Sequence, residues 1–423
     1  MDMTRLTGFI VSGLLCLPIA SAAQEPPITL RADVVIDGTG NTLRNTNLVV
    51  QGTKIQSVGQ TTAQGPVYDL RGLTVMPGWI DTHAHINGHF DRKTGRLPEQ
   101  GSETPQQTML YTAGNAYRTL LAGFTTVQSP GAEVDKDLRD WIADRIIPGP
   151  RILTSLRAIT DKTGTPEQIR AFVRKAAADG ADVIKLFATS SIRDGGEQTM
   201  SDAQIQAACS EAHARGKRAM VHAQGPEGAK AAILAGCNSI EHGNRLTNEV
   251  LDLMAQRQVY FDPNFGLLLH NYLENKAKFI GHGNYNEQGF KFMEEGIPIG
   301  IDTFKRALTR KVPIVFGTDA VAGANGRNYE EFVYRVRDGG QPPMDAILAA
   351  TSTAARSLAL DKTIGTIAPG FDADIIATDG NPLQDITAVR RVVFVMKGGT
   401  VYKNVAGART PGTRTSSAEF SLR

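Results

Sequence analysis

The sequence predicts an α/β protein: a (β/α)8 TIM barrel with a small β-sandwich domain built from both chain ends. Eight short apolar stretches lie between residues 74 and 316, and helical patterns fill the gaps between them. β-rich pieces flank that run at both ends of the chain. The length, 423 residues, is too great for one minimal domain and suits one large α/β domain with an accessory part.

The first residues read as a processing signal. Arg5 is followed by an apolar run from Gly8 to about Ala20, which ends in Ala20-Ser21-Ala22-Ala23. Cleavage is expected near Ala22 or Ala23, with residues 1–23 as signal peptide and the mature protein exported to a bacterial periplasm or secreted. The run is too short to span a bilayer comfortably, so no stable membrane insertion is expected after cleavage; an uncleaved anchor is the alternative. Cys16 leaves with the signal, and Leu15 stands before it where a lipoprotein signal wants a small residue. Cys209 and Cys237 remain, one inside a helical pattern and one just after another. Both read as small core residues and not as a disulfide.

Next come short strands separated by Asp37-Gly38 and Gly40-Asn41. The C-terminal stretches 372–377, 389–395 and 399–402 read alike. The β-sandwich is therefore assigned to 24–78 and 362–405, the (β/α)8 barrel to 79–361, and a flexible tail rich in Thr, Ser, Gly and Arg to 406–423. The barrel strands are expected at 74–76 running into Ile80, then 125–127, 151–153, 183–187, 219–221, 239–240, 259–261 and 314–316. Between them, Ile169, Phe172, Val173 and Ala176 mark one helical face stopped by Gly180. Ser201-Asp202-Ala203-Gln204 is a capping-box pattern for a helix running to Gly216. Residues 226–236 and 248–256 are further short helices.

Charge and composition remove some functions. Lys and Arg number 45 and Asp and Glu 43, a net +2, which argues against a nucleic-acid binder or a polybasic membrane binder. With 41% hydrophobic and 21% charged residues the chain is not disordered.

In a (β/α)8 barrel the chemistry sits where strands end. His83-Ala84-His85 follows the first apolar run, and positions two apart on a strand face the same way, a chelating pair for a borderline metal such as Zn²⁺. Alone, such a pair also fits two surface histidines in a turn. Lys185 stands inside Val-Ile-Lys-Leu-Phe; burial would favour the free amine, which takes up CO₂ as a carbamate, although a strand-end lysine can also reach outward. His222 ends Met-Val-His, His242 ends Ile-Glu-His, and Asp319 follows Phe-Gly-Thr after the eighth strand. Singly, these fit core or surface histidines and a helix N-cap. Together, four histidines, one lysine and one aspartate at the ends of strands one, four, five, six and eight form a constellation that chance does not supply.

On these residues the chain resembles the amidohydrolase superfamily of metal-dependent barrels. VMPGWIDTHAH, VIKLFAT, the VHAQG and IEHG histidines, FGTDA and GTIAPGFDADIIATDGNPL follow the family's order and spacing. Within it the chain is similar to the imidazolonepropionase-like branch, which includes Xaa-Pro dipeptidases, carboxypeptidases cutting before C-terminal basic residues, and ochratoxin-type amidases. Lys185 argues against imidazolonepropionase itself, which uses one metal and no carbamate. The resemblance implies two Zn²⁺ or other divalent ions, with His83, His85 and Asp319 on one and His222 and His242 on the other. Carbamylated Lys185 and a hydroxide would bridge them. The expected chemistry is attack by that hydroxide on an amide of a dipeptide or N-acyl amino acid. Asp319 takes the proton and returns it to the leaving amine. Family relatives assemble as even-numbered oligomers, so a homo-oligomer is expected.

The chain also departs from the family. Relatives carry a Gly-Gly-His-Gly loop after the third strand, where residues 156–164 here have no histidine, and a Pro-His-Gly after the eighth, where residues 322–328 stand. The pocket candidates are Tyr260, on the seventh strand, His89 in the loop after His-x-His, and Arg157 and Arg327, which have the fork to pair a substrate carboxylate. The connection between Asn264 and Arg310 is long enough to form a lid and carries His270, Tyr272, His282 and Tyr285. A lactonase or phosphoesterase on the same metals is a competing enzyme reading. A non-catalytic barrel scaffold is the competing reading from another class, and it sits poorly with a full set of six ligand candidates.

Overall fold

The computed structural model describes residues 26–99 and 101–406. The expected signal segment, 1–23, and the expected tail beyond Ala406 lie outside the described residues. Among them, no helix is long and apolar enough to cross a membrane.

The chain begins with five strands, β1 (Ile28–Ile36), β2 (Thr42–Gln51), β3 (Lys54–Gly59), β4 (Val67–Asp69) and β5 (Thr74–Pro77). An alternating segment follows, with β6 (Trp79–Asp81), β7 (Phe124–Ser129), β8 (Arg151–Thr154), β9 (Ala158–Ile159), β10 (Val183–Phe187), β11 (Arg218–Ala223), β12 (Ser239–His242) and β13 (Tyr260–Asp262). The chain returns through β14 (Ile375–Thr378), β15 (Val392–Lys397) and β16 (Thr400–Asn404). Both chain ends share one sheet, in the order β16-β15-β14-β5-β1-β2-β3, with β4 added on β1. The join is antiparallel, β14 on β5, with Ile376 opposite Met76.

In the alternating segment the strands are parallel, in two groups: β6-β7-β8 and β13-β12-β11-β10-β9. Strands such as β10 are buried along almost their whole length, as parallel strands covered by helices must be. Helices α1 (Pro105–Leu121), α2 (Val134–Ala143), α3 (Pro166–Ala178), α4 (Asp202–Ala214), α5 (Pro226–Leu234) and α6 (Asn248–Arg257) stand between them. α3 buries Ile169, Val173 and Ala176, as its periodicity predicts. α4 opens with the Ser201/Gln204 capping box read from the sequence and ends at Ala214, two residues short of Gly216.

Two of the expected strands differ from the sequence reading. The first is cut in two at Pro77-Gly78: β5 joins the terminal sheet and β6 pairs with β7. Pro77 cannot donate to a continuing ladder, and a side chain on Gly78 would lie 2.2 Å from the Thr125 hydroxyl. The third forms at β8 as expected, and Leu156, whose φ is 59°, then turns the chain from β8, on β7, into a further short strand, β9, on β10. The eighth forms no ladder. The segment leading to Asp319 makes single parallel bridges, Ile314 to Phe261 and Ala320 to Ala84, plus a bond from Thr82 N–H to the Phe316 carbonyl at 2.8 Å.

The long connection after β13 folds into α7 (Leu267–Glu274), α8 (Lys276–Phe279) and the 23-residue α9 (Glu287–Thr309). They enclose a satellite core of Leu268, Leu269, Tyr272, Phe279, Phe290 and Met293. Beyond them α10 (Glu330–Arg337), α11 (Pro343–Ala349) and α12 (Ser352–Ser357) lead back to the terminal sheet.

The expectation of two unpaired core cysteines is corrected. Cys209 on α4 and Cys237 after α5 are buried as expected, but they form a disulfide, their Cα atoms 5.3 Å apart. Neighbouring βα units pack side by side, which brings the two helix flanks together; composition alone does not show that. A bridge spanning 28 residues stabilises by about 3–4 kcal/mol through loop closure in the unfolded chain. The Cys209→Ala/Cys237→Ala variant is therefore expected to unfold at lower urea concentration by about that amount. Two free thiols in unfolded, unreduced wild-type protein would overturn the bridge.

Candidate metal centre and substrate cavity

The six residues singled out at strand ends surround one cavity of about 390 Å³: His83, His85, Lys185, His222, His242 and Asp319 all line it. Lys185 projects from the middle of β10 and His222 from β11, one strand over. His242 closes β12, and its ring centroid is 4.4 Å from that of His222 and 5.4 Å from that of His83. Asp319 reaches the group from the bridged segment. Its Oδ1 lies 3.0 Å from His85 Nε2 and 3.5 Å from His83 Nε2, and its Oδ2 lies 3.9 Å from His242 Nδ1. His242 and Asp319 both have left-handed backbones, φ 70° and 48°, a strain that accumulates where geometry serves a site.

Electrostatics suit ligation. Burial, and then the neighbouring Lys185, push the His83 pKa well below its usual value; burial takes His222 down to about 3 and His242 well down. The imidazoles are thus neutral, with lone pairs free. Lys185 is 1% exposed, and burial lowers its pKa against the pull of Glu241, Asp319 and Asp262. Its Nζ lies 3.3 Å from His83 Nε2. Burial opposes ionisation of Asp319, but His83, His85 and His242 outweigh it and hold the carboxyl well below the usual range. One donor atom each from His83, His242 and Asp319 lie within 4.8 Å of one another, and Asp319 Oδ1 is buried without a hydrogen-bond partner. Neutral imidazoles, an ionised carboxylate with an unsatisfied oxygen and a lysine amine whose burial favours the uncharged form are a donor set that fits divalent ions.

A second layer of acids holds this first one, and sequence reasoning passed it over. Glu241 Oε2 stands 3.0 Å behind His83 Nδ1. Burial pushes the Glu241 carboxyl up to about 7 against the pull of Lys185 and the Ser239 hydroxyl. Asp262 accepts from Thr82 Oγ1 at 2.6 Å and Asn264 Nδ2 at 2.9 Å, with Arg335 Nη2 at 3.5 Å. Asp81 accepts from His83 N, Thr318 N, Thr318 Oγ1 and Asn328 Nδ2. The signal for Glu241 and Asp81 was the one used for Lys185, a charged residue inside an apolar strand. His83, Glu241 and Asp262 also come close enough to hold an ion, but Glu241 borders only a hole of about 10 Å³, its Oε1 accepts from Ser239, and Asp262 accepts from Thr82 and Asn264.

The four pocket candidates lie elsewhere. Tyr260 opens β13, at the strand end away from the site. Arg157 pairs with Asp179 and, at 3.2 Å, with Glu133; Arg327 pairs with Glu274 at 2.9 Å and Glu330 at 2.8 Å. His89 bonds to Glu103 at 2.8 Å, stacks on Tyr111 and lines a neighbouring cavity. Arg157, Arg327 and His89 were read from their local loops, and Asp179, Glu274 and Glu103 are distant partners that sequence proximity does not reveal. Of the lid residues, Tyr272 and Tyr285 line the cavity. His270 bonds to the Gly266 carbonyl, and His282 lies 3.8 Å from Glu99. Arg193, in the loop after β10, also lines the cavity, and nothing in Ser-Ile-Arg-Asp distinguished it.

Residues 74–402 match the model of the amidohydrolase family. The chain belongs to this family. It is accordingly an enzyme, a hydrolase of carbon–nitrogen bonds. A crystal structure of a Xaa-Pro dipeptidase with methionine bound in its active site is 31% identical, with a TM-score of 0.81, and the match covers 89% of this chain and 100% of that one. Ochratoxinase of Aspergillus niger is 26% identical over 440 residues, covering 92% of this chain and 89% of that protein. Imidazolonepropionase of Anaeromyxobacter dehalogenans is 25% identical over 418 residues, covering 85% and 91%. The amidohydrolase relatives include (β/α)8-type barrels, in keeping with the α/β arrangement seen here.

Gly317, in Phe-Gly-Thr-Asp, ties the two layers together. A Cβ there would lie 1.9 Å from Asp262 Oδ2. Gly317→Ala is therefore expected to cost about 1–3 kcal/mol of stability and to displace the Asp319 turn. Urea unfolding and zinc stoichiometry read the two effects. A variant with wild-type stability and metal content would show that the acid layer does not set the turn.

Proposed function

We propose that this protein is an exported, binuclear zinc amidohydrolase that cleaves the amide bond of a dipeptide or an N-acyl amino acid. The observation that carries the reading is Lys185: a lysine 1% exposed, with its amine 3.3 Å from His83 Nε2, in the cavity that His222, His242 and Asp319 also line. Burial disfavours the charged form of this amine, which suits it to take CO₂ as a carbamate, and the resulting carboxylate would suit a bridge between two ions. His83, His85 and Asp319 would hold one ion and His222 and His242 the other. When bound, the ions supply Lewis-acid polarisation of the scissile carbonyl and an acidified water.

The chain's own residues do the rest. Asp319, ionised and at the cavity wall, accepts the proton released as water adds and delivers it to the leaving amine. Glu241 holds His83 from behind at Nδ1, which presents Nε2 to the cavity. Leu268, Tyr272 and Phe279 from the helices after β13 line the cavity, where apolar and aromatic side chains displace water beside the reacting groups. A dipeptide substrate agrees with the similarity to the Xaa-Pro dipeptidase. The two bridged segments around β6 and β13 support closure of the strands into a (β/α)8 barrel, with the terminal sheet as a separate β domain. Export is supported by the Cys209–Cys237 bridge, which persists in an oxidising compartment.

Purified with Zn²⁺ and bicarbonate, the protein is expected to bind two zinc ions per chain and to release the C-terminal residue of dipeptides or N-acyl amino acids. Asp319→Asn should lower kcat by roughly 10²- to 10⁴-fold. Lys185→Ala should lose metal and activity together, and chelation should abolish turnover until zinc is restored. Unchanged turnover with two metals in Lys185→Ala would overturn the scheme. Two metals with no amide cleavage would move the assignment to lactones or phosphoesters.

A further inference from the structure

Arg193 is the one arginine that lines the cavity, and it has no acid of its own. Among the described residues it makes no ion pair, whereas Arg157 and Arg327 are each paired with two carboxylates. It is half-buried. Its Nε donates to Asn284 Oδ1 at 2.8 Å, and its guanidinium lies 4.1 Å over the Tyr285 ring and 5.5 Å from that of Tyr272. Tyr285 Oη donates to Tyr272 Oη at 3.1 Å, which fixes both rings. Nε and one face of the guanidinium are thus held, and Tyr272 also interacts with the side chain. Among the described residues no carboxylate pairs with its fork, which borders the cavity. A cation withdrawn from water without a counter-charge is costly, and a carboxylate that accepts the fork relieves the cost. Phe187, Ile192, Leu268 and Phe279 supply an apolar part of the wall, and Asn87, Ser191 and Gln224 a polar part.

We propose that Arg193 binds the free α-carboxylate of the substrate's leaving amino acid, which makes this enzyme selective for amides that end in a carboxylate. The proposal rests on the amide-hydrolase reading and adds to it the residue that measures the substrate's end. The aromatic rings position the guanidinium; Arg193 itself touches the substrate.

The test compares wild type with Arg193→Gln on N-acetyl-L-leucine and on its carboxamide, N-acetyl-L-leucinamide. Calorimetric binding of 4-methylpentanoate, which has no amide to cleave, is measured in parallel. Wild type is expected to prefer the acid by roughly tenfold or more in kcat/KM, expressed in KM. In Arg193→Gln that ratio should fall to about one, and 4-methylpentanoate should bind roughly tenfold more weakly. Arg193→Lys, which keeps the charge but not the fork, should retain part of the preference, and it serves if the glutamine variant does not fold. A preference that survives Arg193→Gln, or equal slowing of both substrates with KM unchanged, would overturn the proposal. If wild type cleaves no amide at all, the amide-hydrolase reading fails on its own. In that case 4-methylpentanoate binding that depends on Arg193 still upholds the carboxylate assignment, and binding indifferent to Arg193 overturns it.

Discussion

The carboxylate of Asp81 is the point on which the site depends. It is fully buried and accepts from His83 N at 3.1 Å, Thr318 N at 3.1 Å, Thr318 Oγ1 at 2.6 Å and Asn328 Nδ2 at 2.7 Å. These donors belong to segments more than two hundred residues apart in sequence. One side chain therefore locks the turn that carries His83 and His85 to the turn that carries Asp319. Burial pushes the Asp81 carboxyl up to about 7, and the Thr318 and Asn328 donors pull it back. Removing any one donor leaves the others to compensate for a larger desolvation penalty.

The same low-dielectric layer explains the protonation states around it. Burial drives acids and bases alike toward neutrality, so the Lys185 pKa falls while those of Glu241 and Asp262 rise. Arg335 is held there by Glu331 at 3.1 Å and by the carbonyls of Val315 and Gly317, which accept from it. Those two carbonyls lie just before Asp319, so the same contacts also shape the turn that carries it.

The connection after β13 supplies what the parallel strands lack. Strand ends contribute the polar cluster, whereas Tyr272 on α7, Phe279 on α8 and Tyr285 before α9 contribute aromatic wall over it. Arg193 comes from the loop after β10 and stacks on a ring from that connection, so the cavity's single arginine is positioned by two distant segments. Such a split leaves the chemistry with the strands and the choice of substrate with the loops.

Much of the site was legible in the sequence because the relevant signal is local. A histidine, lysine or aspartate inside or just after an apolar run stands out wherever the chain goes next, and all six residues so named line one cavity. The same signal marked Asp81 and Glu241 but went unread. Helix limits were legible from caps and periodicity, as in α3 and α4. The division of the first strand, the turn into β9 after the third, the Cys209–Cys237 bridge and the distant partners of Arg157, Arg327 and His89 were not. Each depends on which segment lies alongside in space, and sequence spacing carries no record of that. By itself the sequence determined the alternating α/β pattern and the identity of the chemical groups, since these follow from side-chain type and period. The tertiary structure alone decided which arginine faces the cavity unpaired, because a charge becomes available to a ligand only where packing brings no internal partner to it.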